Sequence, residues 1–265
     1  MKKLIAITSI ILVSKLYAHE RLFTYSYDTD YLPQGLFEVE QWVTLKSGKE
    51  KGIYNLWDMR TEFEYAITPK THVALYLNYS SLFYQYYEDG QVITHQSSKF
   101  KGVDVAIVHR LSNPRQILGF GLYGELKYRM YEYEFEEKLL LSKYLLSEKV
   151  LTTLNIIFEQ KLENEYNENG KLDLEKEAIL MIPIGIAYKF SNFALGIEAW
   201  THSEWKDKLL PSSFNQAEHN AFFLGPVFHY SNPKFWITLT FTPQITNVLD
   251  EHEKLEARMI FSIIF

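Results

Sequence analysis

The sequence predicts an all-β chain: a transmembrane antiparallel up-and-down β-barrel of about 12 strands. Three observations predict it. Apolar residues recur at every second position through much of the 265-residue chain. Short turns alternate with longer polar connections. The chain also stops on a finished alternating run, ARMIFSIIF, rather than on a polar tail.

The runs follow one another in order. In GLFEVEQWVTL, Phe37, Val39, Val43 and Leu45 oppose Glu38 and Glu40. WDMRTEFEYAI sets Trp57, Met59, Thr61, Phe63, Tyr65 and Ile67 against Asp58, Arg60, Glu62, Glu64 and Ala66. Two chemically different faces at period two define a strand with one apolar and one polar side. HVALYLNYS, GVDVAIVHR and LGFGLYGELKYRM repeat the scheme, and in the last of these Glu125, Lys127 and Arg129 share the polar face. Further runs cover 134–144, 150–163, 174–190, 193–204, 220–230, 235–245 and 253–265, which completes twelve. The span 134–149 also has helical spacing and good helix formers. A helix there would remove one strand and leave the C-terminus on the wrong side of the membrane.

The connections fall into two sets. Those at 68–71, 112–116, 145–149, 191–192 and 231–234 are short. Those at 47–52, 88–99, 164–173, 205–219 and 246–252 are mostly longer and polar, so the two ends of the barrel differ. ENEYNENGKLDLEKE, with Asn169-Gly170 at its centre, reads as a solvated acidic hairpin tip and has no EF-hand spacing.

Residues 1–18 have two lysines and then the apolar run Leu4 to Val13, the layout of a secretory signal peptide. The mature barrel then spans 19–265, with both ends expected in the periplasm. Removing Lys2, Lys3 and Lys15 with the leader leaves 24 basic against 33 acidic side chains and a formal charge of −9, which argues against nucleic acid. With no cysteine, the chain has no disulfide framework and no thiolate metal site.

In hydrocarbon every backbone polar group needs a partner, so a sheet spans only if its last strand bonds its first. Ala257, Met259, Phe261, Ile263 and Phe265 give the final run an outward apolar face, while Glu256, Arg258 and Ser262 look inward. This ending resembles the C-terminal signal of bacterial outer-membrane barrels, which is read by the insertion machinery. LPQGLFEVEQWVTLKSGKE, WDMRTEFEYAIT and VALYLNYS resemble the first strands of an uncharacterised family of proteobacterial outer-membrane barrels. That family is similar in layout to the hydrocarbon- and phenol-pathway transporter-like barrels. The resemblance implies the outer membrane of a Gram-negative cell, with the bilayer, lipopolysaccharide and the insertion machinery as partners. It implies no substrate.

The inward charges are the functional lead. Glu38, Glu40, Asp58, Arg60, Glu62, Glu64, Glu125, Lys127, Arg129, Glu256 and Arg258 are expected to line a pore and set its selectivity for small solutes. The alternatives are a structural or surface-binding barrel whose salt bridges fill the lumen, and a lipid-modifying enzyme. No catalytic motif supports the enzyme, and no cofactor is expected. The eight histidines show no metal-ligand spacing and are read as isolated and solvated. Trp57, Tyr86, Tyr87, Tyr128, Trp200, Trp205 and Trp236 are expected in interfacial girdles.

Overall fold

The computed structural model describes residues 20–129, 132–166, 172–211 and 213–265. The expected signal peptide at 1–18, Met130 and the Asn169-Gly170 tip lie outside these residues. The strands in chain order are β1 (Phe37–Ser47), β2 (Ile53–Thr68), β3 (Thr71–Glu88), β4 (Gln91–Ser112), β5 (Gly119–Arg129), β6 (Glu132–Leu145) and β7 (Val150–Tyr166). They continue with β8 (Leu172–Met181), β9 (Ile184–Lys189), β10 (Phe193–Lys206), β11 (His219–Ser231), β12 (Phe235–Pro243) and β13 (Leu255–Ile264). Neighbours pair antiparallel, and β13 pairs with β1 from Glu38 opposite Ile264 to Ser47 opposite Leu255. The sheet closes on itself, which removes the edges an open sheet would have.

The run expected over 174–190 is broken in two. β8 and β9 lie end to end between β7 and β10, and their register is continuous. Met181 faces Ile157 and His202, while Ile184 faces Leu154 and Ala199. Pro183, which has no N–H, interrupts the ladder. Its carbonyl accepts from the Asn155 amide at 2.9 Å, and the Ile182 amide donates to Thr201 Oγ1 at 3.2 Å. Counted as staves, the barrel therefore has the twelve predicted. β6 is a strand, so the helical reading of 134–149 is overturned: pairing on both edges satisfies this backbone, and Glu136, Lys138, Leu140, Ser142 and Tyr144 all turn inward. The turn after it is tight and left-handed at Leu146, Ser147 and Glu148.

The connection expected at 88–99 is also corrected. β3 and β4 run on as a long hairpin beyond their neighbours, and the only turn is Asp89-Gly90, with φ of 48° and 81°. Asp-Gly supplies the two positive φ values that such a turn requires.

The polarity is the reverse of a soluble protein's. Leu126, Ile197 and Phe241 on the outer face are 59%, 52% and 50% exposed, whereas Glu38, Glu40, Asp104 and Glu198 on the inner face are 0% exposed. An apolar outside around a charged inside suits only a bilayer. The short turns gather at one end, together with Phe265 and Glu20. Phe265 donates to the Phe37 carbonyl at 2.9 Å, and Glu20 sits 3.2 Å from Lys189.

Candidate functional site

The short-turn half of the lumen is filled by residues 20–36. This stretch, ERLFTYSYDTDYLPQGL, pairs with no strand although its aromatics alternate with polar residues, so the wall must satisfy its backbone from within. The Glu198 carboxylate takes the largest single share. It accepts from the consecutive amides of Thr24, Tyr25 and Ser26 at 3.1, 2.9 and 2.7 Å, and from the hydroxyls of Thr24, Ser26 and Thr240. Asn155 brackets Tyr27, accepting from its amide at 2.6 Å and donating to its carbonyl at 3.0 Å. Thr29 pairs with Ser142, and Asp30 takes Tyr144 and Arg115. The segment then leaves through Leu32, whose amide meets the Pro69 carbonyl, and Gly35 (φ 82°), whose amide meets Ala66. The wall is shaped to this plug. A Cβ at Gly185 would lie 2.6 Å from the Phe23 ring, and one at Gly119 would collide with Thr29.

The charges above and around the plug are paired. Arg60 reaches Asp104 at 3.0 Å and Glu125 at 3.4 Å, and Arg129 also binds Asp104. Lys127 gathers Glu134, Glu136 and Glu159, and Lys138 shares Glu136 at 2.8 Å. Glu256 meets Lys46 at 3.3 Å and takes the Tyr25 hydroxyl at 2.9 Å. Arg258 stacks over Tyr25 and donates to Thr44 and to the Thr24 carbonyl, which ties the wall to the plug. On the β1–β2 wall, Glu38, Glu40, Glu62 and Glu64 lie together behind the plug. The plug's own Arg21 is 3.7 Å from Glu40, and its guanidinium lies over the Tyr27 and Trp42 rings.

Above the plug the lumen opens into a cup of about 370 Å³. Thr24, Tyr25 and Tyr27 form its floor, and Lys46, Asp58, Arg60 and Arg258 stand in its wall. At its rim His202, His219 and His252 converge. His252 comes from the connection between β12 and β13. Burial, together with His219, Lys46 and Lys49, pushes its imidazole down to about 3, so it is neutral.

A family model described as a family of unknown function, DUF6662, matches residues 15–258. The chain belongs to this family. A search of curated proteins finds no match. Among solved structures, this DUF6662 chain is similar to the COG4313 outer membrane channel from Pseudomonas putida F1, at 10% identity and a TM-score of 0.61, over 92% of this chain and 100% of that one. It is also similar to the NanC porin, at 9% identity and a TM-score of 0.54 over 86% and 98% of the two chains. The β domain of the Bordetella autotransporter BrkA is similar too, at 8% identity and a TM-score of 0.55 over 88% and 100%. At these identities the likeness is one of fold, and the fold is that of outer-membrane barrels.

In this DUF6662 barrel all eleven residues expected on the inner face are there, but not as one ring. Glu38, Glu40, Glu62 and Glu64 lie behind the plug; Arg60, Glu125, Lys127 and Arg129 sit in paired networks; Asp58, Glu256 and Arg258 face the cup. Sequence reasoning missed Glu198, although a lone acid at inward parity in FALGIEAW marks it, and it missed the plug. Of the aromatics expected in girdles, Trp57, Tyr87 and Tyr128 are exposed. The expectation is corrected for three tryptophans. Trp200 faces inward and stacks on Phe223 at 4.0 Å, Trp236 donates inward to Glu38 at 2.6 Å, and Trp205 is covered by the connection carrying Ser213. Each indole N–H or ring found a better partner than the lipid interface offers. The reading of the histidines as isolated and solvated is corrected for the three at the rim, because register joins positions far apart in sequence, and for His72 and His229, which are buried against Arg110 and Thr238.

Proposed function

We propose that this protein is an outer-membrane channel for small polar solutes, occluded in this state by its own residues 20–36. One observation carries the reading: the wall behind the plug is polar. Glu38, Glu40, Asn155, Thr153, Glu198 and Thr238 would line a wet passage once the segment withdrew, whereas a lumen built only to be filled needs no carboxylates there. The plug is held by hydrogen bonds, ion pairs and packing, so it can leave without bond breakage. With Arg21 gone, four carboxylates on β1–β2 would favour cations over anions.

A second reading, a barrel permanently filled for structural or surface-binding work, is favoured by the fit of Phe23 against Gly185. A lock separates the two. The hydroxyls of Thr29 and Ser142 are 2.7 Å apart and the chain has no cysteine, so Thr29→Cys with Ser142→Cys offers a single disulfide across plug and wall. In a liposome-swelling assay the wild type should pass small solutes, the oxidised double variant should not, and reduction should restore passage. Wild-type liposomes that never swell would refute the channel and leave the filled barrel.

A further inference from the structure

The rim histidines take no part in the ion-pair networks below them, and their geometry has a different use. His202 lies on β10 and His219 begins β11. The β10–β11 register places Glu204 directly opposite His219, and His202 two residues along on the same inward face. His252 arrives from the other side on the connection 244–254. That connection is folded against the barrel by Lys254 donating to the Gly48 carbonyl at 2.7 Å and Glu50 donating to the Leu249 carbonyl at 2.9 Å. His252 is edge-on to both other rings, with centroids 4.5 Å from each.

The facing atoms are the Nε2 nitrogens. Those of His219 and His252 are 2.8 Å apart. A Glu204 oxygen is 3.6 Å from His219 Nε2 and 4.0 Å from His202 Nε2. Candidate ligand atoms of the three histidines all lie within 4.8 Å of one another. His202 Nε2 is buried and has no hydrogen-bond partner among the described residues. A buried lone pair left unmet is costly, and here it is aimed at its neighbours. Packing three imidazoles for structure alone would call for partners at their free nitrogens.

We propose that His202, His219 and His252, with Glu204 as the fourth ligand, form a binding site for a divalent transition-metal ion of the zinc class at the mouth of the lumen. Tetrahedral ligands held about 2.0–2.1 Å from such an ion stand roughly 3.4 Å from one another. The separations among the histidines, and of Glu204 from His202 and His219, bracket that value, so side-chain shifts of about an ångström would close the three imidazoles, with Glu204 turning in as the fourth ligand. Three imidazoles and one carboxylate suit zinc, cobalt, nickel or copper, whereas calcium and magnesium take oxygen ligands. Because His252 belongs to a connection and the other ligands to two barrel strands, a bound ion would fasten that connection over the cup. Two of the ligands, His202 and His252, also line the cup, so the ion has a way in from outside.

The test is a titration of the purified, untagged full-length mature chain in detergent micelles with Co²⁺ alone, then with Zn²⁺ in competition. One ion should bind per chain, and the visible absorption of Co²⁺ should have the intensity of a tetrahedral site. His202→Ala and His252→Ala should each weaken binding at least tenfold, on the order of what loss of a metal-site partner produces. His95→Ala, at an exposed position away from the cluster, should bind as the wild type does. Each variant is first shown to be folded by its heat-modifiable migration in dodecyl sulfate gels. Should the folded wild type take up no Co²⁺ or Zn²⁺ at millimolar concentration, or should the His202→Ala His252→Ala double variant bind as tightly as the wild type, the site does not exist. The readout is binding, so it is independent of whether the lumen conducts.

Discussion

Replacing Glu198 by alanine should unseat the plug while leaving the barrel standing. In the native arrangement this carboxylate is fully buried and satisfies three consecutive backbone amides of residues 24–26, along with three hydroxyls. Removing it orphans those amides in a site that β10, β12 and the plug enclose. A buried donor left without a partner costs about 1–3 kcal/mol. Taking the low end for each of three amides, because water can enter the space a glutamate vacates, gives about 3 kcal/mol against the seated state. That corresponds to roughly a 150-fold shift toward withdrawal, at about 1.4 kcal/mol per factor of ten. Glu198→Gln keeps one acceptor and turns an NH₂ group toward the donors, so it should fall between. Hydrogen exchange read by mass spectrometry in micelles measures this directly. Peptides covering 20–36 should lose protection by about two orders of magnitude in the alanine variant, and peptides from β3 and β4 should not change. If 20–36 stayed within a few-fold of the wild type, Glu198 would not be the anchor. If the strands lost protection in step with the segment, plug and barrel would be one cooperative unit and withdrawal would not be a separable motion.

Other outcomes follow from the same structure. Gly185→Ala should expel Phe23 and raise exchange in 20–36, because the new Cβ would sit 2.6 Å from that ring, and adding Phe23→Ala should relieve the clash with the plug, leaving only Thr153 Oγ1 at 2.7 Å to turn aside. Lys127→Ala strands the largely buried carboxylates Glu134 and Glu159, leaves Glu136 only Lys138, and should lower barrel stability by about 3–5 kcal/mol, read as an earlier transition in thermal unfolding; Glu159→Gln in the same chain should recover part of it. Trp236→Phe removes the indole donor from buried Glu38 and should cost about 1–3 kcal/mol by the same measurement. Excising 83–96 and joining the cross-strand partners Leu82 and Ser97 with Asn-Gly should leave a folded, heat-modifiable barrel, because most of this hairpin tip stands clear of the lumen.

Period two made the barrel legible. Each stave needs one face for lipid and one for the lumen, and that demand is written residue by residue, as in Trp57 to Ile67. The closing seam was legible for the same reason. The plug was not, because the alternation of Phe23, Tyr25, Tyr27 and Tyr31 with polar residues does not say that the segment lies inside: its conformation is dictated by acceptors on strands more than a hundred residues away, such as Asn155 and Glu198. Pro183 did signal its break, since proline cannot donate to a ladder, but sequence alone cannot tell an interrupted stave from the end of one. Trp200 and Trp236 show the limit of composition: an aromatic near a strand end is read as a girdle residue until its parity is counted. His202, His219 and His252 are brought together by register and by a folded connection, and no spacing rule encodes that.

The path of residues 20–36 also constrains how the molecule can be assembled. The segment precedes every described strand; its exit is tied early, to the Ala66 and Pro69 carbonyls, while several of the side chains that grip its inner end arrive late, on β10, β12 and β13. The inner end of the segment must therefore wait while the sheet grows around it, and it docks fully only as the last strands bring the seam between β1 and β13 together. A chain whose leading residues were tethered outside during insertion would be expected to close its cylinder around an unfilled lumen.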